Sequence, residues 1–315
     1  MKKIKKEDIF ICIPIFLILY TFIVGFITNE NSAGGGESDL ITIWNNQKIF
    51  INNSLVDAIG NKEYFDSRSP VAYILHKYLN PFTDNIENYR KTIFLISSIF
   101  PVLFYFYLKK KFNINKILLA LLSSLVLLSP YFRTSSYWGL EENYGLILLL
   151  LSSYLILKYK NFRKDFLTLN KNLFFIFLIC FSSSLTFYFD QKLIIIPLIC
   201  FFFILKNFNK KEIIFSILIY IVLSLPYLYF ISIWGALIPT TASARSFTFN
   251  LENIGYSLSI IAFYLFPFIF IKKNILIDIK KIFLNRINIF FLFLIFFYLI
   301  YFYINFEFFF KKNFF

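Results

Sequence analysis

Long apolar runs recur along the whole sequence, and they constrain the fold more than any other feature. Runs of membrane-spanning length, about 17–25 residues, begin close to the N-terminus and continue almost to the C-terminus. Hydrophobic residues make up 58% of the 315 residues, and the mean hydropathy is +0.68. Soluble domains are about 45–50% apolar, so lipid must surround much of this chain. The sequence predicts an all-α polytopic membrane protein, with residues 1–315 forming a single integral membrane domain.

Nine transmembrane helices are predicted. Four lysines precede the first one and no A-x-A-like cleavage site follows it, which indicates a retained signal anchor rather than a cleaved signal peptide. The region 117–158 is compatible with two spans or with a re-entrant pair. The predicted spans are residues 9–28, 92–108, 117–131, 142–158, 173–189, 192–206, 213–233, 255–271 and 287–305.

The distribution of charge predicts the orientation. Of the 32 Lys and Arg residues, 21 fall in the segments that this topology places in the cytoplasm, against 5 of the 18 acidic residues. The balance is therefore +16 on that side and −2 on the other, which is the positive-inside asymmetry of membrane proteins. It predicts a cytoplasmic N-terminus and an outer C-terminus. The basic composition consequently gives no indication of nucleic acid binding.

Cysteine, histidine and nucleotide-binding motifs exclude several classes of site. Cys12, Cys180 and Cys200 lie apart in predicted spans, which favours neither a disulfide framework nor a metal site. His76 is the only histidine, so multi-histidine metal sites are excluded. No G-x-x-x-x-G-K-[ST] loop occurs, which argues against ATP-driven transport. No cofactor is predicted.

The largest non-membrane segment is residues 29–91, the predicted first non-cytoplasmic loop. Inside it, "DLITIWNNQKIFINNSL" is apolar at near-helical spacing, which predicts an amphipathic helix lying in the membrane interface. "RSPVAYILHKYLNPF" has a Ser-Pro pair at its start and a proline near its end, which predicts a second short surface helix. Loops of this length in compact proteins are usually functional.

Two carboxylates, Glu37 and Asp39, follow three glycines at the start of this loop. The sequence leaves three explanations open. They are ordinary solvated acids, ligands of a divalent cation in a Glu-x-Asp spacing, or a catalytic acidic pair. The spacing alone is weak support for a metal site, and no metal-binding residues are predicted.

The shorter outer loops also concentrate polar residues. Simpler explanations exist for each: arginines that extend to the interface, glutamates that cap a helix, or a lysine and an aspartate paired across a turn. The residues are Arg133, Tyr137, Trp138, Glu141, Glu142, Asp190, Gln191, Lys192 and Arg245, with Arg68 in the first loop. Together they place an acid, several cations and aromatic rings at one lipid–water boundary. A carboxylate base, cations that stabilise a departing phosphate and rings that stack on sugars are what transfer from a lipid-linked phosphate requires.

This arrangement resembles the GT-C superfamily of glycosyltransferases, which use polyprenyl-phosphate sugars and carry an acidic residue in the first large outer loop. The segments "GGGESDLITIWNN" and "DSRSPVAYILHKYLNPF" are similar to that loop, nearest to the dolichyl-phosphate-glucose α-1,2-glucosyltransferase family and its prokaryotic relatives. "TFYFDQKLIIIP" and "WGALIPTTASARSFTFN" resemble two further outer segments. The resemblance covers about two thirds of the chain through loose motifs.

The resemblance implies roles for individual residues. It makes Asp39 the catalytic base, with Glu37 as the neighbouring alternative, in an inverting transfer of a sugar to a glycan, lipid or protein. Gln191 matches a family glutamine, and Arg245 lies in a loop expected to meet the substrates. Because Asp190 replaces the family's turn arginine, phosphate contact there passes to Lys192 or Arg133. The relatives usually continue beyond the point where this chain ends, so a full-length chain is not assured.

The expected location is a bacterial inner membrane with the active site on the outer face. The expected partners are a polyprenyl-phosphate sugar donor, a glycan or lipid-linked acceptor, and the bilayer. A glycan-lipid flippase or polymerase, or a small-solute transporter, remains the alternative.

Overall fold

The protein is helical throughout the residues that its structure, a computed structural model, describes: 6–66, 68–162 and 169–239. The predicted all-α class is confirmed for this part, in which no strand occurs. The helices are α1 (Lys6–Ile27), α2 (Gly36–Asn52), α3 (Leu55–Ile59), α4 (Val71–Leu79), α5 (Ile86–Ser97), α6 (Ile99–Lys111), α7 (Lys116–Ser124), α8 (Pro130–Tyr137), α9 (Glu142–Phe162), α10 (Leu169–Phe189), α11 (Ile195–Asn207) and α12 (Lys210–Trp234). Arg245 and the predicted spans 255–271 and 287–305 lie outside the described residues.

Four helices of the described part are long and apolar enough to cross a membrane. They are Phe10–Ile27 in α1, the 26-residue stretch Ile86–Lys111 that joins α5 and α6, Asn172–Phe189 in α10, and Lys210–Trp234 in α12. Their apolar side chains face outward in large numbers: Phe10, Phe16 and Leu95 are each more than 60% exposed. In water such exposure would be unfavourable. These features indicate an integral membrane protein.

The other predicted spans correspond to shorter or interrupted helices. The segment Lys116–Leu128 and helix α8 bend by 71° relative to each other, so they form a fifth span only if the bent pair crosses as one. α11 has 13 residues, or about 20 Å of helix, against a hydrocarbon thickness of about 30 Å. α9 matches the predicted span 142–158 in position, but it is not one of the four helices that are long and apolar enough to cross a membrane. The total of nine spans stays a prediction.

The segment between α1 and α5 folds against the protein and forms a core with its neighbours. Leu40, Ile43 and Trp44 of α2 are buried, together with Phe50. The apolar face of α2 therefore packs against α1, α5 and α8, whereas the sequence predicted that it lies in the membrane interface. Packing against the aromatic rings of those helices removes this apolar surface from water as effectively as contact with lipid does. Ile41 and Ile51 remain exposed on the other face.

A second core lies between α9, α10, α11 and α12. Ile176, Ile179 and Ile204 are fully buried in it, and Cys180 and Cys200 pack beside them as free thiols. The first helix turn of α12 is closed by a capping box in which Asn209 and Glu212 exchange side-chain and backbone hydrogen bonds.

Candidate functional site

The glycine-rich turn before α2 determines where the two predicted carboxylates lie. Gly34 and Gly35 have positive φ angles of 75° and 72°, a conformation that residues with a Cβ rarely adopt. A Cβ on Gly36 would lie 2.5 Å from the Trp138 ring, so only glycine permits this close approach. The backbone N–H of Ala33 donates to the Thr134 hydroxyl at 3.0 Å. The turn is thus held against α8, and α2 begins directly after it.

Asp39 and Lys192, remote in sequence, line one cavity of about 430 Å³ between this turn, α8 and α9. We call it the polar cavity. Its polar lining residues are Asp39, Ser129, Tyr131, Thr134, Ser135, Glu142, Asn143 and Lys192. Glu37 lies two residues earlier on α2 and does not line the cavity.

The two unlike charges in the polar cavity are available to a ligand. The carboxylate of Asp39 and the ammonium of Lys192 are exposed, and neither forms an ion pair with another described residue. The side chain of Asp190 accepts a hydrogen bond from the backbone N–H of Lys192 at 3.0 Å. Asp190 therefore stabilises the turn through the backbone of Lys192 and does not engage the lysine side chain.

Arg68 reaches the wall of the polar cavity from the first loop. Its Nη2 lies 2.6 Å from Glu142 Oε1, and both side chains are about one quarter exposed. The backbone N–H of Arg68 donates to Asp66 Oδ1 at 2.9 Å, and the Tyr73 hydroxyl donates to Asp66 Oδ2 at 2.5 Å. We call Asp66, Arg68, Glu141 and Glu142 the Arg68 cluster.

Glu141 is the unusual member of the Arg68 cluster. It is fully buried, and neither carboxyl oxygen has a hydrogen-bond partner among the described residues. The Tyr73 hydroxyl also faces this carboxyl, but its proton goes to Asp66. Burial raises the pKa of Glu141 well above its ordinary 4.5, and the negative charge of Asp66 raises it further, against the opposing effect of Arg68. The buried site of Glu141 therefore favours the neutral carboxylic acid over the carboxylate.

Arg133, Tyr137 and Trp138, which the sequence suggested as substrate contacts, join the first loop to α1 and α8. Arg133 forms an ion pair with Glu30 and donates to the carbonyl of Thr21 at 2.8 Å. The Tyr137 hydroxyl donates to the carbonyl of Phe22 at 2.7 Å. Trp138 Nε1 donates to the carbonyl of Glu30 at 2.9 Å. None of the three lines the polar cavity.

The remaining suggested contacts are more distant from the cavity wall. Gln191 precedes Lys192 in the same turn, and its side-chain amide lies 3.4 Å from the hydroxyl of Tyr227 on α12. Arg245 lies outside the described residues. Of the suggested residues in the described part, the structure thus brings together Asp39, Lys192 and, through Glu142, Arg68.

Sequence reasoning missed a buried cation, Arg90 of α5. Arg90 is 4% exposed, and its guanidinium lies between the rings of Phe26 and Trp138, at 4.7 and 4.9 Å from their centroids. It donates to the carbonyl of Tyr137 and to Asn29 Oδ1, the latter at 2.6 Å. A lone arginine at the start of an apolar run was the available signal, because a cation there needs a partner.

No protein-family model matches the chain, and no curated protein or solved structure matches it. The chemistry therefore has to be argued from the polar cavity itself. The cavity offers a carboxylate that can accept a proton and an ammonium that can stabilise an anionic leaving group, and neither is paired with another residue that the structure describes. Within the described residues, no group of three or more His, Cys, Asp or Glu side chains is arranged to hold a metal ion.

Proposed function

We propose that the protein is a membrane glycosyltransferase that moves a sugar from a polyprenyl-phosphate carrier to a glycan, lipid or protein acceptor. The observation that supports this is that Asp39 and Lys192, neither of which has an ion-pair partner in the described part of the chain, line one polar cavity beside the membrane-spanning helices. A base and a phosphate-binding cation within one cavity are the two parts that this transfer needs.

The proposed reaction is a single inverting displacement. The acceptor hydroxyl oxygen forms a bond to C1 of the sugar while the bond from C1 to the carrier phosphate oxygen breaks. Asp39 takes the proton of the acceptor hydroxyl, and polyprenyl phosphate leaves as an anion. Lys192 stabilises the charge that develops on the leaving phosphate. Arg68 compensates Glu142 at the cavity wall and thereby limits the negative charge that the phosphate meets.

The finer features of the resemblance belong to the same proposal. They are nine transmembrane helices, a cytoplasmic N-terminus, residues 29–91 as the outer loop with the active site, and a bacterial inner membrane. Arg245 is a proposed further substrate contact. Arg133, Tyr137 and Trp138 support the loop in this scheme, because their polar groups are already bonded to α1 and the α1–α2 connection.

The test compares two neighbouring carboxylates on α2. Asp39→Asn should lower sugar transfer from a labelled polyprenyl-phosphate donor by about 10²–10⁴-fold, the usual contribution of a general base. Glu37→Gln is the matched control, since Glu37 is also exposed in the first turn of α2 but does not line the polar cavity. The measurement is transfer in membranes at matched expression of each variant.

Other results would redirect the proposal. Loss of transfer only in Glu37→Gln would keep the enzyme and move the base by two residues. Full activity in both variants would refute the mechanism.

Proton-coupled transport is the second candidate, and the buried carboxyl of Glu141 is the observation that favours it. Buried ionisable groups in membrane proteins commonly mark proton or ion pathways. A transporter would tolerate Asp39→Asn and would lose proton coupling in Glu141→Gln. The glycosyltransferase should keep its transfer activity in Glu141→Gln, because Glu141 does not line the polar cavity and the amide has nearly the same shape as the carboxyl group that it replaces.

A further inference from the structure

A second cavity lies on the other side of the first turns of α9. Asn143 and Leu146 of α9 line the polar cavity, whereas Tyr144, Ile147 and Leu148 line a cavity of about 490 Å³ between α4, α5, α9 and the end of α10. The two cavities share no lining residue. We call the second one the α4–α9 cleft. Its volume is within the range of about 300–1,000 Å³ that is typical of ligand sites.

Among the described residues, none that lines the α4–α9 cleft is charged. His76, Asn80, Thr92 and Tyr144 are its polar side chains, and they bond to one another or to the backbone. His76 Nε2 lies 2.9 Å from the Tyr144 hydroxyl, and His76 Nδ1 lies 3.0 Å from Asn80 Nδ2. The Thr92 hydroxyl donates to the carbonyl of Asn88 at 2.9 Å.

These bonds fix the imidazole in its neutral form. The Asn80 amide nitrogen can only donate, so Nδ1 is the acceptor and Nε2–H donates to the Tyr144 oxygen. Burial lowers the pKa of His76 to about 4, in agreement with that assignment. A ligand in the cleft would therefore meet hydrocarbon and neutral polar groups only, and a charged ligand would lose its hydration without compensation.

The mouth of the α4–α9 cleft continues into the surface that faces lipid. Leu79 and Phe82 at its rim are 73% and 63% exposed. Ile96 of α5 lines the cleft, and the next exposed residues along the same membrane-spanning stretch are Leu95, Ile99 and Val102, at 66%, 47% and 54%. The cleft wall and the lipid-facing surface of the stretch formed by α5 and α6 are thus one continuous apolar surface. A cleft of this composition would be unfavourable in water and is suited to hydrocarbon.

We propose that the α4–α9 cleft binds one hydrocarbon chain of a bilayer phospholipid, which enters past Leu79 and Phe82. The proposal does not depend on the glycosyltransferase function. The bound chain packs against Tyr144 and Leu148, on the same turns of α9 that carry Glu142 and Asn143 to the polar cavity. The lipid therefore acts as a structural ligand that holds the start of α9 in place.

The first experiment counts the phospholipids that remain on the full chain after detergent exchange. Ile96→Trp adds volume inside the cleft, and Leu95→Trp makes the same kind of change one residue earlier, on an exposed part of α5. The protein is reconstituted in phosphatidylethanolamine and phosphatidylglycerol, extracted, exchanged to strip surrounding lipid, and analysed by native mass spectrometry.

Wild type and Leu95→Trp should retain one phospholipid per chain, and Ile96→Trp should show at least a tenfold lower occupancy. No retained phospholipid in wild type, or equal occupancy in the two variants, would overturn the proposal.

A second experiment does not depend on the folding of a bulky variant. The photoreactive residue p-benzoylphenylalanine replaces Leu148, and the protein is illuminated in the same bilayers. An adduct with a phospholipid chain is the expected product. An adduct with a peptide from residues 240–315 would overturn the proposal, because the chain itself would then occupy the cleft. The absence of any adduct would overturn it as well.

Discussion

At the residue scale, two adjacent glutamates have different environments and different chemistry. Glu142 pairs with Arg68 and lines the polar cavity, whereas Glu141 is fully buried without a hydrogen-bond partner among the described residues. A helix rotates about 100° per residue, so neighbours at its start face different surroundings. From the sequence, both glutamates were equally well explained as helix caps.

Glu141→Gln should stabilise the protein at neutral pH. The folded-state pKa of Glu141 is raised, so the folded state keeps the proton while the unfolded state releases it above about pH 4.5. Stability consequently falls as the pH rises above 4.5, by at most about 1.4 kcal/mol per pH unit, until the folded-state pKa is reached. The amide cannot ionise, so this loss disappears in the variant.

The measurement is Tm in detergent between pH 5 and pH 8 for wild type and Glu141→Gln. The difference between them should widen with increasing pH in favour of the variant. Glu142→Gln is the control, and it should lower Tm instead because it removes the partner of Arg68. A pH-independent difference for Glu141→Gln would show that Glu141 is ionised in the folded protein.

At the element scale, the first loop is a folded layer held to the bundle by side chains from several helices. Ser69 donates to the carbonyl of Tyr188 on α10 at 2.6 Å, and Trp234 Nε1 of α12 donates to the carbonyl of Ile59 at 2.9 Å. Asn46 of α2 bonds in both directions with the backbone of Phe65. Substitutions at these junctions should therefore affect stability and the polar cavity together.

Arg90→Lys should destabilise the junction of α1, α5 and α8. A lysine can replace the charge, but it has neither the planar fork that donates to the carbonyls of Phe26 and Tyr137 nor the flat face that stacks between two rings. We expect a loss of about 1–3 kcal/mol, because the buried carbonyl of Tyr137 loses its donor, whereas the carbonyl of Phe26 still accepts from the N–H of Asn29.

The check is thermal unfolding of Arg90→Lys beside Lys91→Arg, which changes the neighbouring exposed cation in the opposite sense. Lys91→Arg should leave Tm unchanged. Equal Tm values for wild type and Arg90→Lys would show that the stacked guanidinium contributes little.

Gly36→Ala should displace the turn that positions Asp39. The added Cβ would meet the Trp138 ring at 2.5 Å, and overpacking of this kind costs about 1–3 kcal/mol. Gly60→Ala is the control, since its Cβ has no neighbour closer than 3.4 Å. Of the two variants, only Gly36→Ala should show a lower Tm and a lower rate of sugar transfer. Unchanged transfer with a lowered Tm would separate the turn from the site.

At the scale of the whole molecule, the charge asymmetry and the apolar helices make a prediction about orientation. In a variant without the three native cysteines, Glu63→Cys should react with a membrane-impermeant maleimide added outside intact cells. Lys109→Cys, at the end of α6, should react only after the membrane is permeabilised, because the positive-inside asymmetry places that lysine cluster in the cytoplasm. The opposite labelling pattern would reverse the topology and place the polar cavity in the cytoplasm.

The class of the protein and much of its helical layout can be predicted from the pattern of apolar residues. Apolar runs predict helices because the N–H and C=O groups of a backbone in lipid must form hydrogen bonds with each other. The predicted starts of α1, α4 and α10 lie within a few residues of those observed. α2 was also predicted as a helix, but its period of apolar residues does not tell whether protein or lipid covers them. Tertiary packing settled this by burying Ile43 and Trp44.

The set of polar residues that line one cavity could be identified only from the tertiary structure. Asp39 and Lys192 line one cavity, Arg133 supports the first loop, and Glu141 and Arg90 are buried. These outcomes depend on contacts between helices far apart in the chain. Local composition can place a charge near the membrane boundary, but the partner, the burial and hence the pKa of that charge come from neighbours that the local sequence does not contain.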